Sequence, residues 1–115
     1  MINLTDMIEN IRKEEYDDYN YRPRFSERGV REIRELLLYD RLFNSVTEAY
    51  DAVMVLSKDV EIVNGTRLVG DIFFDSKKRF PDGQCIITST VNEVEKLRHE
   101  IYLVKTNNTN YLVIA

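Results

Sequence analysis

Apolar residues recur at helical spacing near the start of the chain. Leu4, Met7, Ile8 and Ile11 share one face, and Asn3 or Thr5 can cap the run. The pattern predicts a short helix over residues 4–14. Residues 15–25 have no period, and Pro23 biases Arg22 toward extended backbone, so this stretch reads as a loop. Ser26 then opens a second predicted helix reaching about Phe43, with Val30, Ile33, Leu36 and Leu37 as its inward stripe. Ser45-Val46-Thr47-Glu48 has the spacing of a capping box, in which the Ser hydroxyl and the Glu carboxylate satisfy free backbone N–H groups. It predicts a third helix with Val46, Ala49, Tyr50, Val53 and Leu56 facing inward.

From Asp59 the texture turns to β. Residues 60–63 and the run from Thr66 flank Asn64-Gly65, a pair that tolerates positive φ at both positions. Residues 68–75, 84–91, 100–106 and 111–115 complete five predicted strands. Pro81-Asp82-Gly83 marks a turn and residues 107–110 a hairpin connection, while 92–98 fits either a long loop or a turn of helix. The expected fold is α+β in one domain, 1–115. About three N-terminal helices, in 1–58, pack on a C-terminal five-stranded antiparallel sheet, in 59–115, curled in the manner of a small SH3-like barrel.

Composition narrows this picture. With 115 residues, 43% apolar and 31% charged, the chain can build one core and is too apolar for a disordered segment. A single cysteine, Cys85, rules out an intramolecular disulfide and fits a reducing compartment. The N-terminus lacks the basic start and apolar run of a secretory signal, and no stretch is long enough to span a bilayer. The expectation is a cytoplasmic protein that avoids membranes. The net charge of −4 is unevenly spread: residues 1–21 alone carry −4, whereas 22–41 carry +2 through six arginines. That distribution disfavours a globally basic nucleic-acid binder but leaves room for a local arginine patch.

The β half carries Gly70-Asp71-Ile72-Phe73-Phe74-Asp75, Arg79-Phe80-Pro81-Asp82-Gly83 and Ile86-Ile87-Thr88-Ser89-Thr90-Val91, then Val104-Lys105-Thr106 and Tyr111-Leu112-Val113. This resembles a recurring module of small proteins encoded by bacteriophages and other mobile elements. The shared pattern is an arginine-aromatic-x-Asp-Gly turn, a Thr-Ser strand end and a final hairpin closing on a Tyr. The chain departs by inserting Ser76-Lys77-Lys78 before the turn. It also lacks a glycine in the last hairpin, where Asn107 and Asn108 could supply positive φ. The resemblance covers about half the chain and implies an origin, not an activity. Short acidic proteins of such elements often antagonise host defence, as anti-CRISPR proteins do, and that analogy of size and lifestyle frames the functional expectation.

Candidate chemistry is sparse. His99 and Cys85 cannot form a four-ligand zinc set, and Asp71 with Asp75 is too few carboxylates for a calcium cage. Ser89 lacks the glycines of a nucleophile elbow, and the four glycines are isolated from one another, so no phosphate-cradling loop forms. The chain is therefore expected to need no metal or cofactor and to be no enzyme. A Cys85–His99 pair is kept as the seed of an alternative reading as a small Cys/His enzyme.

Surface features carry more. Glu15, Tyr16, Asp17, Asp18, Tyr19 and Tyr21 form an acidic, tyrosine-rich stretch suited to binding a basic protein surface. Arg24, Arg28, Arg31 and Arg34, with the Lys77-Lys78-Arg79 tip, are candidate contacts for phosphate or carboxylate. Leu38 and Leu42 fall on the outer face of the second helix and are candidates for a homodimer seam. The leading expectation is a non-enzymatic inhibitor that occupies the surface of a host protein, such as a nucleic-acid-binding nuclease or a defence complex. The alternative from another class is a nucleic-acid-binding regulator that uses the arginines.

Overall fold

The computed structural model describes residues 3–15, 25–57 and 60–115, and these form three helices and five strands. Helix α1 (Leu4–Glu15) begins where the apolar period predicted, with the Asn3 carboxamide accepting the Asp6 backbone N–H at 3.1 Å. Helix α2 (Glu27–Tyr39) is capped by Ser26, whose hydroxyl accepts the Gly29 N–H at 3.2 Å. It stops four residues earlier than its pattern suggested. Asp40 adopts extended backbone and caps a separate four-residue helix, α3 (Arg41–Asn44), through the Phe43 N–H at 2.8 Å.

The predicted third helix is a strand. Ser45 is the C-cap of α3: its hydroxyl donates to the Leu42 carbonyl and accepts from Arg98 Nε. Glu48 turns back on Thr47, so the capping box starts no helix. The chain instead runs into β1 (Ala52–Leu56), which is followed by β2 (Arg67–Phe73), β3 (Gln84–Arg98), β4 (Ile101–Thr106) and β5 (Asn110–Ile114). All five residues of β1 are buried. A strand covered on both faces shows no alternation, and a short run of that kind cannot be told from a buried helix by period alone. The boundary between helical and β halves therefore falls before Ala52, not at residue 58.

The five strands close into a barrel in sequence order. Each consecutive pair is antiparallel, whereas β1 and β5 close the barrel in parallel, with Val53 opposite Leu112 and Val55 opposite Ile114. The expectation of a purely antiparallel sheet fails for a reason of parity. In a meander of five strands the first and last run the same way, so closure forces one parallel pair. Residues 60–63, expected as a strand, take no place in the barrel because β1 occupies the position beside β2. Val60 and Ile62 pack against the barrel interior. Gly65 keeps its turn role, with φ of +87°. The ambiguous residues 92–98 extend β3, which pairs with β2 along its first half and with β4 along its second, bending at register shifts.

Inside the barrel lie Ala52, Met54, Leu68, Ile72, Val104, Tyr111 and Val113. Gly70 also faces inward, and a Cβ there would stand 2.6 Å from the Val55 carbonyl oxygen, so glycine lets β1 and β2 approach. The alternate residues Val53, Val55, Phe73, Leu112 and Ile114 form an outer apolar face on which Ile8, Ile11, Ile33, Leu37 and Phe43 of the helices pack. The Asn107 and Asn108 backbones do not take positive φ; among the described non-glycine residues only Phe74, Lys78 and Glu100 do. The last hairpin is closed by Thr106 and Thr109, whose hydroxyl and backbone groups bond each other.

Polar anchors fix the helices to this face. The Arg12 guanidinium of α1 is buried and donates to the Leu56 and Val55 carbonyls at 2.9 and 3.3 Å and to Asp71 Oδ2 at 3.3 Å. At the other end of α1, Glu100 in the β3–β4 turn accepts from the Thr5 backbone N–H and hydroxyl. Removing Arg12 strands a buried carboxylate, a change that typically costs about 3–5 kcal/mol. Arg12→Ala is expected to lose that much in denaturant unfolding, and the pair of changes Arg12→Met with Asp71→Leu to recover most of it. A double variant as unstable as Arg12→Ala alone would contradict the role given to the pair.

Candidate interaction site

The motif that carried the phage resemblance turns out to be a clamp between α2 and the barrel. Asp82 accepts the Phe74 N–H at 2.8 Å through one oxygen and Arg34 of α2 at 2.9 Å through the other. The Arg34 guanidinium also lies over the Phe74 ring, 5.3 Å from its centroid. Gly83 has φ of +87°, and a Cβ there would come within 2.5 Å of Val30, so only glycine lets the turn meet the helix this closely. Phe25, just before α2, packs on Phe73 with ring centroids 6.4 Å apart. Thr88 supplies its hydroxyl to the Leu68 N–H where a bulge interrupts the β2–β3 ladder.

The candidate cations are largely committed within the chain. Arg28 pairs with Glu32 at 3.0 Å and Glu14 at 3.7 Å. Arg79 makes a two-pronged pair with Asp75 and donates to Thr109. Lys77 donates to the Asn108 carbonyl at 2.8 Å. Arg31 and Lys78 are exposed. Arg24 lies outside the described residues, as do Tyr16, Asp17, Asp18, Tyr19 and Tyr21, and of Glu15 only the helical backbone is described. The ends of that segment are well anchored: Arg12 holds the last turns of α1 to the barrel, and Phe25 is buried in the core.

The reactive groups do not converge. His99 sits in the β3–β4 turn beside Glu100, 3.9 Å away, at the first turn of α1. Cys85 pairs across the ladder with Asp71, which meets Arg12 two helical turns further along α1, about 10 Å by helical rise. Partial burial and the neighbouring Asp71 carboxylate push the Cys85 thiol above its ordinary range, against the pull of Arg12. Such a thiol is mostly protonated at neutral pH and a poor nucleophile. Asp71 and Asp75 also part company. Asp75 falls beyond the end of β2 and turns to Arg79, while Asp71 faces Arg12. Ser89 keeps a buried hydroxyl for which no partner is found among the described residues.

Among the described residues, three exposed large apolar side chains gather where α2 gives way to α3. Leu38 and Leu42, the predicted seam, are 55% and 44% exposed, and Tyr39 between them is 83% exposed. A groove of about 450 Å³ beside them is lined by Met7 of α1 with Glu35, Leu36, Tyr39, Asp40, Arg41 and Leu42. Tyr39 escaped the sequence reading because the helix was expected to continue to Phe43. Four consecutive apolar residues, Leu36 to Tyr39, were the available signal, since a helix with 3.6 residues per turn cannot turn all four to one core. A second, smaller cavity of about 210 Å³ lies between α1 and the ends of β1 and β5, with Glu9 and Arg12 on its wall. The Arg12 guanidinium there is already engaged with Glu9, Asp71 and two carbonyls. No described helix is long and apolar enough to cross a membrane.

No protein-family model matches the chain, and no solved structure matches it. It is 40% identical over 115 residues to a phage T4 protein described as an uncharacterised 12.8 kDa protein in the cd-pseT intergenic region, the match covering 99% of this chain and 98% of the relative.

The two aspartates next to the anchoring arginines titrate in opposite directions. Burial lifts Asp71 above its ordinary 3.8, outweighing Arg12. Burial also acts on Asp75, but hydrogen bonds from Arg79 and from the Arg79 and Lys77 N–H groups hold it below 3.8. By linkage, the stability owed to Asp75 is present above its unfolded value and lost as pH falls through its native midpoint. The contribution of Asp71 is present below its unfolded value and lost as pH rises through its native midpoint. Carboxyl NMR titration is expected to place the two midpoints on opposite sides of 3.8; the reverse order would contradict the packing described.

Proposed function

The chain belongs to the family of this phage T4 protein, and we propose that it is a non-catalytic binding protein that inhibits a host protein by occupying a basic surface. The class of target is one that holds nucleic acid through arginines and lysines, such as a defence nuclease. The reading rests above all on the sequence from the last residue of α1 onward, where Tyr16, Tyr19 and Tyr21 stand among Glu15, Asp17 and Asp18. Tyrosine brings large contact area at low entropic cost, and the carboxylates match cations that otherwise hold phosphate. Anchoring of this stretch at Arg12 on one side and Phe25 on the other supports it, because a segment tethered at both ends loses less entropy on binding than a free tail.

The other two readings have less to draw on. A nucleic-acid regulator would need its cations free, yet Arg28, Arg34, Arg79 and Lys77 all have partners within the chain. A Cys/His enzyme would need an activated thiol near an imidazole, and Cys85 is raised and set apart from His99.

Affinity capture from a host bacterial lysate tests the proposal. The wild-type chain is expected to retain a host protein that the combined variant Tyr19→Ala, Asp17→Arg, Asp18→Arg releases, and raised salt is expected to weaken the capture. Equal retention by both chains would count against the acidic segment as the working surface.

A further inference from the structure

The exposed face at the α2–α3 junction is charged in a way that singles out its occupant. Glu35 precedes the exposed apolar residues Leu38, Tyr39 and Leu42 in the chain, Arg41 falls among them, and both charges line the groove. Neither takes part in an ion pair or side-chain hydrogen bond with any other described residue, and both are exposed. Asp40, the third charge on the groove, is occupied in capping α3 through Phe43.

A foreign partner of one charge sign would best be met by a rim of the opposite sign. A groove lined by one unpaired acid and one unpaired base is complementary in charge to a second copy of itself. A twofold arrangement that sets Glu35 of one copy against Arg41 of the other forms that pair twice. That reciprocity, residue i on j and j on i, defines an isologous interface. The composition also fits: two leucines and a tyrosine at the centre, with charges confined to the rim, is the anatomy of a protein–protein contact.

We propose that this face is a homodimer interface, with Leu38, Tyr39 and Leu42 at its centre and reciprocal Glu35–Arg41 pairs at its edge. The dimer itself does not depend on the inhibitory reading, and its test involves no host protein.

Sedimentation velocity across the micromolar range is expected to show the wild-type chain approaching twice its 13.6 kDa mass as concentration rises. Leu38→Glu with Leu42→Glu is expected to remain monomeric while keeping the wild-type circular dichroism, since both side chains are exposed. Arg41→Glu is expected to weaken the dimer by about tenfold or more, because it sets like charges opposite each other twice. The exchange Glu35→Arg with Arg41→Glu is expected to restore it. A wild-type monomer at every concentration would overturn the proposal and leave the face to a different occupant. A dimer untouched by the leucine changes, or one weakened by Arg41→Glu and not recovered by the exchange, would overturn it as well.

Discussion

Closure of a five-stranded meander demands one parallel contact, and the structure is organised around where that contact falls. β1 lies between β2 and β5, antiparallel to the first and parallel to the second, so none of its backbone is left as an open edge. Its side chains then serve two cores at once. Ala52, Met54 and Leu56 point into the barrel, and Val53 and Val55 point out beneath the helices. The same alternation on β5 extends the outward face with Leu112 and Ile114. The helices lie across the parallel seam because that is where the barrel offers an apolar exterior. By contrast, β3 leaves Cys85 and Ile87 exposed to solvent.

Burial alone would leave α1 and α2 free to slide on this face, and polar anchors prevent it. Arg12 reaches the backbone of β1 and the carboxylate of β2 together, so α1 is tied to two adjacent strands through one side chain. Asp82 performs the same service for α2 by joining Arg34 to the Phe74 backbone. The charges involved are drawn from groups that in isolation look available for ligands, such as the Arg-rich face of α2 and the Asp of the Pro81-Asp82-Gly83 turn. Their use inside the fold is the physical reason that a basic patch in the sequence becomes a weaker one on the surface.

Local signals were enough for elements whose information is local. The period and caps of α1 and α2, the turn at Gly83 and the strand character of β2 and β5 could all be read from neighbouring residues. β1 could not, because its all-apolar run reflects two layers of long-range contact, and a plausible capping box stood just ahead of it. Likewise 92–98 looked ambiguous because a bent strand shared between two neighbours loses strict alternation. At the surface, exposure of Leu38 and Leu42 was foreseeable from the helical wheel, whereas Tyr39 depended on where the helix ended. The resemblance to phage-encoded modules agrees with the T4 relative. Its signature turn holds α2 to the barrel, which explains how a motif can mark a fold and say little about a target.

Two helices anchored by Arg12 and Asp82 on one face of a small closed barrel are the frame of the structure. That account stands or falls on β1 being a strand that closes the barrel. Backbone carbon chemical shifts combined with amide hydrogen exchange decide it most directly. The structure predicts extended shifts over Ala52 to Leu56, with amides of β1 and β5 exchanging together and only through global unfolding. Helical shifts continuing from Val46 through Leu56, with β5 amides exchanging quickly as an open edge, would contradict it.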